Sequence, residues 1–257
     1  GSDLGGHLDA FRVPDPGRNI GNMRASVGAP RQERRLENLN VVTQAFRSGR
    51  SIQTQKTLHQ STIDRALTMM SSEQLNAFEI EKEPEAVRKA YGDSPFGRGC
   101  LVARRLVEQG VHSIEVNLNG WDSHANNYTG HQTQAAILDP AFSSLLKDLK
   151  SRDLLDSTIV LCIGEFGRTP KINALDGRDH WPTGFSCIVG GGGLKGNLIL
   201  GETDPTGKEK KPVDPVRIQD LYSTILQKMQ IDYTKELISP IGRPLALSDG
   251  TPISRLI

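Results

Sequence analysis

The chain has 257 residues, 36% hydrophobic and 24% charged, and a formal net charge of +1 at pH 7. That length suits one large domain or two small ones with a real core, and the composition is that of a globular chain. Near-neutral charge without a basic, aromatic-laced stripe argues against a nucleic-acid partner, and no apolar run reaches the roughly 18 residues of a membrane span.

Residues 3–32 scatter glycine and proline without apolar periodicity. Residues 1–30 therefore read as an irregular lead-in, and residues 31–257 as a single α/β domain. Gly1-Ser2 reads as a foreign scar, and the start in mid-pattern points to the later part of a longer protein. Leu36, Leu39, Val42 and Phe46 recur at helical spacing, which predicts a helix over about 31–47 ending at Ser48-Gly49. A second helix is expected over about 52–70, with Leu58, Ile63, Leu67 and Met70 on one face. His59 on that helix takes no role. Ser71-Ser72-Glu73-Gln74 is a capping signal for a short helix, and Pro84 suits the first turn of another that ends at Tyr91-Gly92.

Phe96 to Gln109 predicts a strong helix with Gly110 as its stop. Leu101, Val102, Leu106 and Val107 form its apolar face, while Arg104 and Arg105 turn to solvent or to neighbouring acids. His112 to Leu118 alternates, placing Ile114, Val116 and Leu118 on one side of a half-buried strand. A helix over about 132–151, with a break expected at Pro140, turns Leu145, Leu146 and Leu149 to the core. Ile159 to Ile163 is a buried strand, Phe185 to Val189 another, and Leu198 to Leu200 a short edge strand. Gly190 to Gly193 lacks the Lys-Ser/Thr of a nucleotide loop and reads as a turn. Thr203 to Pro215 is a surface loop or hairpin tip. Asp220 to Met229 is an amphipathic helix with Leu221, Ile225 and Leu226 inward, and the tail from Ile238 is irregular. Cys100, Cys162 and Cys187 form no CxxC pair, so buried thiols are expected, not a zinc knuckle.

The chemistry gathers where two strands end. The first empties into Asn119-Gly120-Trp121-Asp122-Ser123-His124. In extended chain Asp122 and His124 share a side, so together they can grip one divalent ion; an aspartate capping the next helix is the alternative. The second strand runs through Gly164 into Glu165, Arg168, Asn173, Arg178, Asp179 and His180. Open α/β enzymes present sites in this way, although surface loops also carry such charges. Asp122, His124, Glu165, Asp179 and His180 are hard and borderline ligands, suited to zinc, manganese, magnesium or calcium. Carboxylates outnumber histidines and no cysteine is near, which fits a hydrolytic site better than a structural zinc. Arg168 either pairs with Glu165 or clamps an anionic substrate by a bidentate fork. Arg178 helps to position the loop, and Trp121 and Trp181 each flank a ligand candidate.

GWDSHANN, RDLLDSTIVLCIGEFGRTPKIN and GRDHWP, with FGRGCLVARRLVEQGVHSIEVN before and GGGGLKGNLILGETD after, resemble the sulfatase-like domain-of-unknown-function family fifteen-oh-one. The lead-in FRVPDPGRNIGNMR and the helix pair after it are similar to that family too, so the resemblance covers the chain from about Phe11. The resemblance implies membership of the alkaline phosphatase and sulfatase superfamily. It thereby implies a three-layer fold, an open and mostly parallel sheet flanked by helices, with a helical N-terminal segment and metals at the strand ends. It implies one metal site at Asp122, His124 and His180. Glu165 is a further metal candidate, and Arg168 and Asp179 are the catalytic candidates. Phe166 stands where the superfamily has the histidine of an Asp-His pair, which argues against a standard second ion. Members have a longer N-terminal half that carries the region of the nucleophile, and they are commonly exported bacterial proteins.

The expected function is thus metal-dependent hydrolysis of sulfate or phosphate esters, with a small anionic ester as substrate. The alternative is a catalytically inactive domain with a structural or binding role.

Overall fold

A computed structural model describes residues 10–17, 23–48, 59–208, 211–239 and 241–257. Six α-helices are described: α1 (Ala29–Arg47), α2 (His59–Met70), α3 (Glu85–Tyr91), α4 (Pro95–Glu108), α5 (Asn127–Ser151) and α6 (Ile218–Lys228). The strands are β1 (Ile159–Ile163), β2 (Gly167–Arg168), β3 (His180–Trp181), β4 (Cys187–Gly191), β5 (Glu236–Ile238) and β6 (Pro244–Ala246). The fold is mixed α/β, and its sheets are the antiparallel pairs β1–β4, β2–β3 and β5–β6. The large parallel sheet expected for a three-layer fold is not present among the described residues.

The core forms around α4. Ser94 caps the helix by accepting from the Gly97 N–H at 3.0 Å, and Pro95 opens it where a missing N–H costs nothing. Phe96, Cys100, Leu101 and Val102 are buried against Ile80, Tyr91 and Ala141, with Leu106, Leu138 and Leu145 packed around them. Each such large apolar side chain contributes about 1.5–3 kcal/mol by leaving water.

Arg105 is half-buried, but Arg104 does not face solvent. Only 1% of its side chain is exposed, and it sits among acids. Its Nη2 lies 2.9 Å from Glu83, its Nη1 donates to Glu108 at 2.8 Å, and its Nε lies 3.4 Å from Asp148. The Tyr91 hydroxyl donates to the same Asp148 carboxylate at 2.9 Å. Burial and then the Asp148 charge push the Tyr91 phenol well above its usual value. Burial pushes the Glu83 carboxyl up, but hydrogen bonds from Arg104 and Arg105 outweigh it and hold the group below its ordinary value. The chain thus accommodates a buried guanidinium by surrounding it with carboxylates.

Several expectations change. Pro140 does not break α5, which runs unbroken from Asn127 to Ser151 and buries Ala141 and Leu149. The flanking turns pack on α4 and keep the helix continuous across the missing N–H. His112 to Leu118 is in neither a helix nor a strand ladder. Ile114, Val116 and Leu118 are half-buried between exposed neighbours, so the alternation is real, yet no strand lies beside it among the described residues. Leu198 to Leu200 is likewise not a strand, and Ile199 is 95% exposed. The tail is more regular than expected, because Glu236–Ile238 pairs with Pro244–Ala246 as a hairpin. Leu58 and the start of the helix expected at 52 lie outside the described residues, as does Gly49. α1 buries none of its residues.

β1 and β4 pair antiparallel, with Leu161 opposite Val189 and Ile163 opposite Cys187. Of the glycines expected as a turn, Gly190 and Gly191 instead end β4 opposite Val160 and Ile159, and Gly192-Gly193 make the turn. Gly191 has φ +72°, and a Cβ there would fall 2.2 Å from the Thr158 carbonyl oxygen, so only glycine fits. Beyond β1 the chain enters the charged loop.

Candidate metal centre

Two loops, one before α5 and one between β1 and β4, are zipped together by backbone hydrogen bonds. Asn126 N donates to Leu175 O at 3.0 Å, Asn127 N to Asp176 O at 2.8 Å, and Arg178 N to Ser123 O at 3.1 Å. Gly177 is buried at the crossing. A Cβ there would lie 1.9 Å from the His124 carbonyl oxygen, so the close approach requires glycine. The zipper brings Asp122 and His124 beside His180, more than fifty residues away in the chain.

Asn173 secures the second loop. Its Oδ1 accepts from Leu175 N and Gly177 N, each at 2.9 Å. Its Nδ2 donates to His124 O at 3.0 Å and to Asp179 Oδ1 at 3.2 Å. One side chain therefore holds its own turn, the opposite loop and the Asp179 carboxylate. Arg178 adds a clasp by donating from Nη1 to the carbonyls of Thr169 and Pro170, both at 2.6 Å.

β2 and β3 then set the remaining pair. Arg168 lies directly opposite His180, and Gly167 opposite Trp181. Directly opposed residues of an antiparallel pair project to one face, so Arg168 and His180 point together. Phe166 packs on His180 with ring centroids 4.4 Å apart, and Arg168 Cζ lies 5.6 Å from the Phe166 centroid.

Three atoms converge. His124 Nε2 is 3.0 Å from Asp122 Oδ1, His180 Nε2 is 3.1 Å from the same oxygen, and the two ring nitrogens are 3.2 Å apart. This near-equilateral triangle joins the residues whose ligand atoms could hold one ion. A tetrahedral cation bonded at about 2.0–2.1 Å sets its ligands roughly 3.3 Å apart, which these edges approach.

Proton placement points the same way. His124 Nδ1 lies 3.0 Å from Asp179 Oδ1, an acceptor only, so the network assigns the His124 proton to Nδ1. Nε2 of the neutral ring then turns a lone pair toward Asp122 Oδ1, which is also an acceptor. Two acceptors at 3.0 Å repel unless a proton or a cation lies between them. A carboxylate fixing the far nitrogen of an imidazole is the usual outer support of a metal-binding histidine.

The electrostatics fit this arrangement. The hydrogen bond to His180, then that to Arg168, holds the Asp122 carboxyl below its usual value. The hydrogen bond to His124, then that to Asn173, does the same for Asp179. The ligand side chains of Asp122, His124 and His180 are 61%, 47% and 48% exposed, so the centre opens to solvent. Arg168, by contrast, is only 13% exposed.

Of the six residues expected at the site, three form the triangle. Asp179 lies behind it on His124, and Arg168 beside it on Asp122. Glu165 points elsewhere: its carboxylate meets Arg168 Nη2 at 3.3 Å and does not reach the triangle. Trp121 stands edge-on to His131, with centroids 5.2 Å apart. Asn173 is named among the polar residues of the loop in the sequence but given no role there. Its signal was an asparagine four residues before a glycine in a tight loop, where Asn side chains bond their own backbone.

The profile of a family described as "Protein of unknown function (DUF1501)" matches residues 4–257. No curated protein and no solved structure matches the chain. No described helix is long and apolar enough to cross a membrane.

Proposed function

The chain belongs to the family described as Protein of unknown function (DUF1501), and from that premise we propose that it is a metal-dependent hydrolase of sulfate or phosphate esters. One observation carries the reading: the triangle of Asp122 Oδ1, His124 Nε2 and His180 Nε2, with His124 oriented from behind by Asp179. In this reading the chain is part of an alkaline-phosphatase-like fold, as the sequence resemblance implies, and is exported.

Asp122, His124 and His180 would hold a divalent cation, with zinc or manganese the better match to a site that is two-thirds imidazole. Such an ion, when bound, supplies Lewis-acid polarisation of an ester oxygen. The other roles fall to side chains. Asp179 keeps the His124 proton on Nδ1, so that Nε2 stays free to bind. Asn173 holds Asp179 in line. Arg168, positioned by Phe166 and by its pairing opposite His180, offers its guanidinium fork to the oxygens of an anionic ester. A nucleophile is not among the residues assigned.

A second reading is favoured by one contact. Phe166 covers a face of His180 with an apolar ring, where a further ligand would serve two-ion chemistry. In that reading the ion is structural and the chain is a binding domain. Turnover of an aryl sulfate and an aryl phosphate by the full chain separates the two. Hydrolysis that requires added cation and is lost in His124→Ala supports the hydrolase. Absence of turnover in a chain that still binds the cation supports the binding domain.

A further inference from the structure

Asp122 Oδ1 has three close neighbours, of which His180 Nε2 and Arg168 Nη1 donate to it. Both imidazole nitrogens reach it, and so does Arg168 Nη1, at 2.5 Å the shortest of the three. A carboxylate oxygen offers about two lone-pair directions, so these two donors fill it. The guanidinium is also the best-anchored group of the centre. It is 13% exposed beside ligands that are half-exposed, and Phe166 and Glu165 hold its flanks. A fixed positive charge therefore sits on the oxygen that a cation would need.

We propose that Arg168 and a divalent cation compete for Asp122 Oδ1, and that a tetrahedral oxyanion relieves the competition, so that cation and oxyanion bind cooperatively. The proposal rests on the metal-site reading above and deepens it. Without an ion, the guanidinium neutralises Asp122 and holds the carboxylate toward the two imidazoles. With an ion in the triangle, Arg168 loses its share of Oδ1 and faces a like charge a few ångström away. Glu165, 63% exposed at 3.3 Å, is a weak counter-charge for it. An oxyanion that spans ion and guanidinium satisfies both. By linkage, the oxyanion then raises the affinity for the cation by the factor by which the cation raises the affinity for the oxyanion. A guanidinium that instead only positioned Asp122 would give the opposite sign, because loss of an outer support weakens metal binding.

Calorimetric titration of the full chain with zinc, with and without sulfate at matched ionic strength, tests this. The proteins are the wild type, Arg168→Met, Arg168→Lys and His124→Ala, each checked for folding by circular dichroism. Sulfate is expected to tighten zinc binding by the wild type about fivefold or more. Arg168→Met is expected to bind zinc more tightly than the wild type without sulfate, and to lose the sulfate effect. Arg168→Lys keeps the charge without the fork and is expected to fall between them; it serves as the variant if the methionine protein does not fold. Zinc binding weakened in Arg168→Met, or indifferent to sulfate in the wild type, overturns the competition while the metal site stands. Zinc binding that is absent, or equal in wild type and His124→Ala, overturns the metal site and the competition with it.

Discussion

Replacing Asp179 by asparagine separates a built metal centre from a chance gathering of polar groups. Asp179 does not touch the triangle. It reaches it only through His124 Nδ1 at 3.0 Å, and Asn173 braces it at 3.2 Å. Asparagine keeps the shape but can turn its amide N–H toward Nδ1, which then accepts, and the ring proton moves to Nε2. The ligand nitrogen becomes a donor facing a cation. Loss of such an outer partner lowers metal affinity by about 10–100-fold. Asp179 is 57% exposed, so water can take over part of its role, and the low end, about tenfold, is expected. Competition against a chromogenic zinc chelator reads this directly, and the thermal midpoint should barely move, since no buried contact is lost. Unchanged zinc affinity in Asp179→Asn would refute the orienting role and the proton assignment together.

Arg104→Met leaves Glu83, 8% exposed, with Arg105 as its remaining partner. The cost should therefore sit near the lower end of the about 3–5 kcal/mol for a broken buried pair, measured by denaturant unfolding. Because the folded Glu83 carboxyl is held low, its contribution is complete above its ordinary value and fades as pH falls through the lowered one. Wild-type stability should fall over that acidic range more steeply than that of Arg104→Met, and parallel acid profiles would contradict the assignment. Gly177→Ala places a carbon against the His124 carbonyl, so it should lose zinc binding although no ligand is changed. Retained affinity in that variant would show that the loop crossing does not set His124. Maleimide should label exposed Cys187 first and Cys100 only on unfolding. Cys100 is 2% exposed, and burial, then the nearby Cys162, push its thiol up to about 12. Equal labelling rates would contradict that burial.

Local rules foresaw much of the chain. The helix expected from Phe96 to Gln109 is α4, and its apolar face is the one that Leu101 and Val102 bury, although the Ser94 cap and Pro95 start were not foreseen. The uncharged run Ile159–Ile163 is β1. Asp122 and His124 at the end of an extended run, and the Asp179-His180 pair, were visible as metal-ligand types. Their meeting was not, because it depends on backbone bonds between loops that no sequence window spans. The same holds for Arg168, whose place beside His180 follows from a strand pair of two residues each, too short to carry periodicity. Pro140 failed as a breaker because packing on α4 outweighed one missing N–H. His112–Leu118 has the alternation of a strand, but a ladder needs a neighbour, and alternation reports only which side is covered.

Asp122, His124 and His180 are expected to bind one divalent cation. Metal content by mass spectrometry, after zinc loading and dialysis of the full chain, tests it most directly, with His124→Ala and His180→Ala measured alongside. A single bound zinc per wild-type chain is expected, and its loss in both variants. A wild-type chain that emerges without zinc, or variants that retain it equally, would rule out a metal site at these three residues.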